Sequence, residues 1–99
     1  LIGHTPLVKL NFDSPGTLYA KLEYYNPSFS VKDRSALYMI EQAEKKGILK
    51  PGGTLIEASS GNQGIATAMI GAVKGYKVVI TVPDKTSQEK KAALQAYGA

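Results

Sequence analysis

The chain has 99 residues, 43% of them apolar and 20% charged, with ten glycines, one histidine and no cysteine. These proportions describe one globular unit and exclude collagen-like, low-complexity and acidic disordered chains. The missing thiols exclude disulfide scaffolds, thiolate zinc sites and cysteine nucleophiles. A net charge of +4 comes from eleven lysines and a single arginine, Arg34, spread along the chain. Readers of base edges and minor grooves lean on arginine, so the charge points to a solvated surface and not to nucleic acid. The longest apolar stretch, Gly64 to Val73, is about half the roughly 20 residues of a membrane-spanning helix. Leu1 to Leu7 lacks the basic segment and apolar core of a signal peptide. A cytoplasmic protein with no membrane partner is expected.

Leu7 to Leu10 and Leu18 to Leu22 read as short strands, and the turn cluster Asp13-Ser14-Pro15-Gly16 predicts that they pair as a hairpin. Pro27 pushes Asn26 out of the helical region and ends this part. Ser30-Val31-Lys32-Asp33 has capping-box spacing, with Asp in the place of Glu or Gln. Ala36, Ile40, Ala43 and Gly47 then recur at the helical period, with Leu37 and Met39 widening the apolar face. Glu41 and Lys45 form an i,i+4 pair, Gly47 predicts the helix stop, and Lys50-Pro51-Gly52-Gly53 predicts a turn.

Thr54 to Ala58 is a predicted strand. Ser60-Gly61-Asn62-Gln63 is a second capping box, opening a helix through Ile65, Ala66, Met69, Ala72 and Val73 to Gly75. Tyr76 to Val82 is β-branched and nearly continuous in hydrophobicity, as expected of a strand buried on both faces. Pro83 ends it, and Thr86-Ser87-Gln88-Glu89 is a third capping box, starting a helix toward Gly98. This alternation predicts an α/β fold of parallel βαβ units with an N-terminal strand pair, and no boundary divides residues 1–99.

In such sheets ligands sit beyond the carboxyl ends of the strands, which selects two segments, Ser59–Gln63 and Asn26–Lys32. The first sets two hydroxyls, a glycine and two amides at a strand-to-helix junction, where backbone N–H groups and the helix dipole favour a phosphate or carboxylate. The same residues serve equally as an N-cap, with Ser60 and Gln63 satisfying each other's backbone donors. They match neither the P-loop nor the three-glycine dinucleotide fingerprint. In the second segment Lys32 falls in the first turn of its helix. There the dipole opposes a cation and favours the neutral amine that forms a Schiff base with an aldehyde. The residues alone favour a surface lysine at a helix start. His4, between Gly3 and Pro6, suits a solvated or locally bonded role, and one histidine without cysteine cannot assemble a metal cluster. Glu57 has no carboxylate near it in sequence and reads as a strand-end residue with a local partner.

Three segments in this order carry a resemblance: Ile2-Gly3-His4-Thr5-Pro6-Leu7-Val8-Lys9-Leu10, Asn26-Pro27-Ser28-Phe29-Ser30-Val31-Lys32-Asp33-Arg34 and Glu57-Ala58-Ser59-Ser60-Gly61-Asn62-Gln63-Gly64. Together they resemble the cysteine synthase family, pyridoxal-phosphate (PLP) enzymes of fold type II related to cystathionine β-synthase and more distantly to threonine dehydratase. The resemblance covers essentially the whole chain. It implies β-replacement on an activated serine by a sulfur nucleophile to make cysteine, with PLP as cofactor. It implies that Lys32 forms the Schiff base with PLP and later moves the substrate's α-proton, and that Asn62 hydrogen-bonds the cofactor's ring oxygen. Ser59, Ser60, Gly61 and Gln63 would hold the α-carboxylate of the amino-acid substrate, and the full-length protein would be a homodimer.

Two residues depart from the family's common pattern, Phe29 in place of Gly and Gln63 in place of Thr. Phe29 makes the loop before Lys32 bulkier. Gln63 either donates to the carboxylate or is diverted into a capping box with Ser60. Family members are much longer, and their glycine-rich cup for the cofactor phosphate and the partner of the pyridine nitrogen come later in the chain. The 99 residues are therefore expected to be an N-terminal piece of a catalytic domain that alone binds PLP weakly and turns over little. The alternative is a non-catalytic α/β module for amino-acid binding or assembly, in which Phe29 and Gln63 mark a lost site.

Overall fold

The two apolar runs flanking Asp13–Gly16 form strands β1 (Leu7–Leu10) and β2 (Leu18–Lys21) in a computed structural model that describes residues 1–99. They pair antiparallel, with Leu7 opposite Lys21 and Leu10 opposite Leu18. A 3₁₀ turn at Glu23–Tyr25 follows and ends on Asn26, which is extended (φ −64°, ψ 153°), as the next residue, Pro27, requires.

Helix α1 (Lys32–Lys45) buries Asp33, Ala36 and Ile40, the stripe that the period 3.6 pattern marks. The expected capping box at its start does not form. Ser30 Oγ accepts from the N–H of Lys32 at 3.1 Å, while the Asp33 carboxylate turns back to Ser28, accepting its N–H at 2.8 Å and its hydroxyl as well. Asp is one methylene shorter than the Glu or Gln of a capping box, and the buried Ser28 donors draw it the other way. The helix stops where Gly47 takes φ +68°. The expected Glu41–Lys45 pair is also absent. The ion pairs of the chain are Arg34–Glu23 and Lys74–Glu44, and Glu44 additionally accepts the Tyr76 hydroxyl at 2.6 Å. An exposed i,i+4 pair offers only a few tenths of a kcal/mol, about 0.3–0.5, too little to hold two long side chains in one place.

Strands β3 (Thr54–Ala58) and β4 (Lys77–Thr81) are parallel, registered from Thr54 opposite Lys77 to Ala58 opposite Thr81. Helix α2 (Asn62–Lys74) connects them and ends at Gly75, left-handed at φ +77°. Its Gly64, Ala66, Ala68 and Gly71 are all buried, and these small side chains let α2 lie between α1 and the sheet. Gly71 makes the closest approach, since a Cβ there would sit 2.3 Å from Val78 Cγ2. Helix α3 (Gln88–Ala96) is capped by Ser87, whose hydroxyl accepts from Lys90 N–H. Thr86, the expected cap, has its hydroxyl buried without a partner.

The core gathers Ala36, Ile40, Ala66, Met69 and Ile70 where α1 meets α2, with Leu37, Leu49, Leu55 and Tyr76 packed around it. Leu55, Val78 and Ile80 point toward the helices. Ile56 and Val79 alternate to the other face and are 75% and 48% exposed. The expectation that β4 is buried on both faces is thus met on one only, because no element of these 99 residues covers the far side. The result is a plate of 52 × 35 × 17 Å with a radius of gyration of 16.1 Å, against about 13 Å for a compact domain of this length.

Candidate functional site

β3 delivers the chain to Ser59, whose N–H still donates across the sheet edge to Thr81 O at 3.2 Å. The Ser59 hydroxyl then accepts the N–H groups of Gly61 (3.2 Å) and Gly64 (3.1 Å). Gly64 permits this fold-back, since a Cβ there would lie 3.0 Å from Ser59 O and 3.3 Å from Ile80 Cγ2. Ser59, not Ser60, therefore satisfies the start of α2, and the expected box between Ser60 and Gln63 is absent: Gly61 is the N-cap and has no side-chain cap bond. As a consequence the N–H groups of Ser60, Asn62 and Gln63 donate to nothing in the chain. Three unused donors at the positive end of a 13-residue helix form a site suited to a carboxylate or phosphate. Ser60 and Asn62 are exposed. A cavity of about 360 Å³ opens beside Ser60, lined by Ala58, Ser59, Ser60, Thr81, Val82 and Pro83 at the carboxyl ends of β3 and β4.

Lys32 is the first residue of α1, exposed, and takes part in no ion pair. The loop before it is fixed from within. Asn26, 1% exposed, donates to Glu23 O at 2.8 Å and to Glu23 Oε2 at 3.0 Å, and accepts the N–H of Gly3 at 2.9 Å. Phe29 N–H donates to Asn26 O at 2.7 Å, which closes the turn around Pro27 and leaves Phe29 at φ +63° with its ring 76% exposed. Asp33, fully buried, completes the loop through Ser28.

Arg34 grips Glu23 with two bonds, Nε to Oε2 at 2.8 Å and Nη2 to Oε1 at 3.0 Å, and also reaches Thr5 Oγ1 at 3.2 Å. Thr5 in turn donates to Glu23 Oε1 at 2.6 Å. Arg34 foremost, then Thr5 and Asn26, pull the Glu23 carboxyl down to about 2. This network ties the segment before β1 and the end of β2 to the first turn of α1. It borders a larger cleft of about 670 Å³ lined by Gly3, His4, Lys21, Glu23, Val31 and Arg34, but there the Arg34 and Glu23 charges already satisfy one another, and Lys21 Nζ is committed to the Thr5 carbonyl. The free donors and the free amine lie at the other cavity and at Lys32.

The two segments selected from sequence meet at the first turns of α1 and α2. Ser35 Oγ, 3.0 Å from Lys32 O, donates to Gln63 Oε1 at 2.9 Å. Lys32 and the loop of Ser59, Ser60, Gly61, Asn62 and Gln63 thus belong to one end of the two helices. Glu57 is half-buried in β3 and takes part in neither ion pair, so the local partner expected for it is missing. Sequence reasoning missed Asp33, Ser35 and the Thr5–Glu23–Asn26–Arg34 network. The available signal was the lone arginine among eleven lysines, the residue type suited to a two-pronged carboxylate pair.

The pyridoxal-phosphate dependent enzyme family matches residues 1–99. The chain belongs to this family. It is 57% identical over 101 residues to cysteine synthase B of Salmonella typhimurium, covering 99% of this chain and 33% of that protein. A hydrogen sulfide-producing enzyme of Fusobacterium nucleatum superposes with a TM-score of 0.94 at 52% identity, over 99% of this chain and 33% of that one. O-ureido-L-serine synthase does so with a TM-score of 0.94 at 47% identity, over 99% and 32%. The chain spans about a third of the length of the curated relatives it matches. The mixed α/β architecture read from the sequence is the one these structures share, and the similarity supports a cysteine synthase-like PLP enzyme over a module with no catalytic parent. No helix is long and apolar enough to cross a membrane.

Proposed function

We propose that the full-length protein is a cytoplasmic, homodimeric, fold type II PLP enzyme that replaces the β-substituent of an activated serine with a sulfur nucleophile to make cysteine, and that these 99 residues contribute its lysine and its carboxylate loop. The observation that carries this reading is the meeting of two helix starts, one with the unpaired amine of Lys32 and the other with three undonated N–H groups. Those donors fit an amino-acid carboxylate, and an amine free of ion pairs fits covalent attachment of an aldehyde cofactor. When bound, PLP supplies an electron sink that loosens the substrate's α-proton.

In this reading Lys32 holds the cofactor through Nζ and afterwards takes and returns the α-proton, its place fixed by the Asp33–Ser28 loop. Asn62, exposed on the first turn of α2, hydrogen-bonds the cofactor's ring oxygen. The carboxylate lies against Ser60 and Gln63 and their N–H groups. Ser59 accepts two N–H groups and keeps its own O–H to donate. Gly61 has given its N–H to Ser59, so it contributes close approach rather than a donor. The remainder of the full-length protein covers the bare face at Ile56 and Val79 and supplies the cup for the cofactor phosphate.

The test is borohydride reduction of the full-length protein with PLP, followed by peptide mass analysis. A pyridoxyl adduct on Lys32, lost in Lys32→Ala, is expected. An unlabelled Lys32 would instead identify an amino-acid-binding module that has lost its chemistry.

A further inference from the structure

Gln63 is divided between two environments. Its Oε1 accepts the Ser35 hydroxyl at 2.9 Å, whereas its Nε2 is buried with no hydrogen-bond partner. A buried donor left without an acceptor is unfavourable, a penalty that an arriving acceptor removes. Ser35 lies one turn beyond Lys32 on the same helix, and its single hydroxyl proton has two takers, Gln63 Oε1 and the Lys32 carbonyl at 3.0 Å. Given to Gln63, that proton fixes Oε1 on Ser35 and thereby fixes which branch of the planar amide carries the unpartnered Nε2. Given to Lys32, it leaves Ser35 Oγ as an acceptor and releases the amide to turn over. A threonine side chain at position 63 carries no group long enough to make this bridge.

We propose that Ser35 is a positioning residue for the substrate loop: by donating to Gln63 Oε1 it sets the amide so that Nε2 offers its N–H to the carboxylate of the bound amino acid. Ser35 itself touches neither substrate nor cofactor. It couples the helix that carries Lys32 to the loop that holds the carboxylate. This rests on the reading of Ser59–Gln63 as a carboxylate loop.

The experiment compares Ser35→Ala, Ser35→Thr, Gln63→Thr and the double variant Ser35→Ala/Gln63→Thr in the full-length protein. It reads kcat and KM for an O-acylated serine, and the thermal midpoint with and without L-serine. Ser35→Ala is expected to raise KM about tenfold, the loss of one oriented bond to a charged group, with kcat nearly unchanged and a smaller upshift of the midpoint by L-serine. Ser35→Thr keeps the hydroxyl and restores KM. In the Gln63→Thr background Ser35→Ala changes neither KM nor the L-serine upshift. An unchanged KM in Ser35→Ala, including one accompanied by a lower midpoint, overturns the proposal, as does a rise in KM of the same size in the parent and in the Gln63→Thr background. Borohydride labelling separates the two levels. With Lys32 labelled and Ser35→Ala inert, only this inference fails; with Lys32 unlabelled and no L-serine upshift in the parent, the carboxylate-loop reading fails and takes the inference with it.

Discussion

Gly71 offers the most demanding check on how α2 is seated. A Cβ at this position would stand 2.3 Å from Val78 Cγ2 and 3.3 Å from Leu55 Cδ1, the first of these roughly 1.2–1.7 Å inside the distance of about 3.5–4.0 Å at which carbon atoms rest against each other. Val78 cannot swing aside cheaply, because a β-branched side chain is stiff at χ1. Gly71→Ala therefore sets an overpacking cost of about 1–3 kcal/mol against the gain of about 1 kcal/mol that Ala brings to a helix interior. With both contacts on the sheet side the cost lies at the upper end, and a net loss of about 1–2 kcal/mol is expected.

The Val78→Ala background removes the offending methyl and leaves the position-78 Cβ, 3.8 Å away, and Leu55 Cδ1, 3.3 Å away at the tip of a side chain that has to give by only a few tenths of an ångström. There Gly71→Ala is expected to stabilise by up to about 1 kcal/mol. The sign reverses, and the coupling of about 2–3 kcal/mol sits at the top of the range for residues in contact. Urea denaturation of the four proteins in the full-length chain measures it. A Gly71→Ala variant that is about 1 kcal/mol more stable than the parent, as for a solvent-facing helix glycine, would refute the seating of α2 on β4. The consequence for the site follows from the same geometry. The N–H groups of Ser60, Asn62 and Gln63 ride on the start of α2, so, if they hold the carboxylate as proposed, lifting the helix is expected to raise KM for the amino acid even where the fold survives.

Three further outcomes are expected. At Phe29, φ +63° costs a residue with a Cβ about 1–2 kcal/mol and glycine nothing, while glycine's extra unfolded-state freedom costs about 0.5–1 kcal/mol; Phe29→Gly should be more stable than Phe29→Ala, and the opposite order in a thermal scan would mean that this loop is not left-handed. Ser59→Ala removes the acceptor of two N–H groups and should cost about 0.5–2 kcal/mol, whereas Ser60→Ala should leave stability unchanged; equal losses in denaturant would restore the capping box at Ser60. Glu23 has its carboxyl lowered from 4.5 to about 2 by Arg34, Thr5 and Asn26, so the stability it contributes is complete above pH 4.5 and is lost as the pH falls toward 2; thermal midpoints across that interval should fall more steeply in the parent than in Glu23→Gln, and parallel curves would show that the carboxylate gains nothing on folding.

The order and type of every strand and α-helix were legible because each rests on a local rule, whereas the 3₁₀ turn at Glu23–Tyr25 was not read. Asp13–Gly16 between two apolar runs gives a hairpin, Pro27 holds Asn26 extended, Gly47 and Gly75 end helices by going left-handed, and the Thr54–Ala58 and Lys77–Thr81 runs flank a helical period. The environment of β4 was not legible. Continuous β-branching at Val78, Val79 and Ile80 describes a strand that is apolar on both faces, and says nothing about whether the chain supplies both covering layers. Here it supplies one, and Ile56 and Val79 remain bare.

Capping-box spacing occurs three times, and none of the boxes closes as read: Asp33 reaches back to Ser28 outside the helix, Ser59 caps where Ser60 was expected, and Ser87 caps where Thr86 was expected. In the last two cases adjacent hydroxyls leave the spacing ambiguous by one residue, and the exit angle of the preceding segment decides between them. At α2 the choice has a chemical consequence. Had Ser60 and Gln63 closed the box, they would have satisfied each other's backbone N–H groups and left little for a ligand. Because Ser59, still anchored to β4 through Thr81 O, takes the N–H groups of the two glycines instead, three donors stay open and the Gln63 amide crosses to Ser35, 28 residues away in sequence. That long-range bond is outside the reach of any local pattern. A motif that satisfies a helix start and a site that binds an anion compete for the same N–H groups, and here the failure of the motif is what makes the site available.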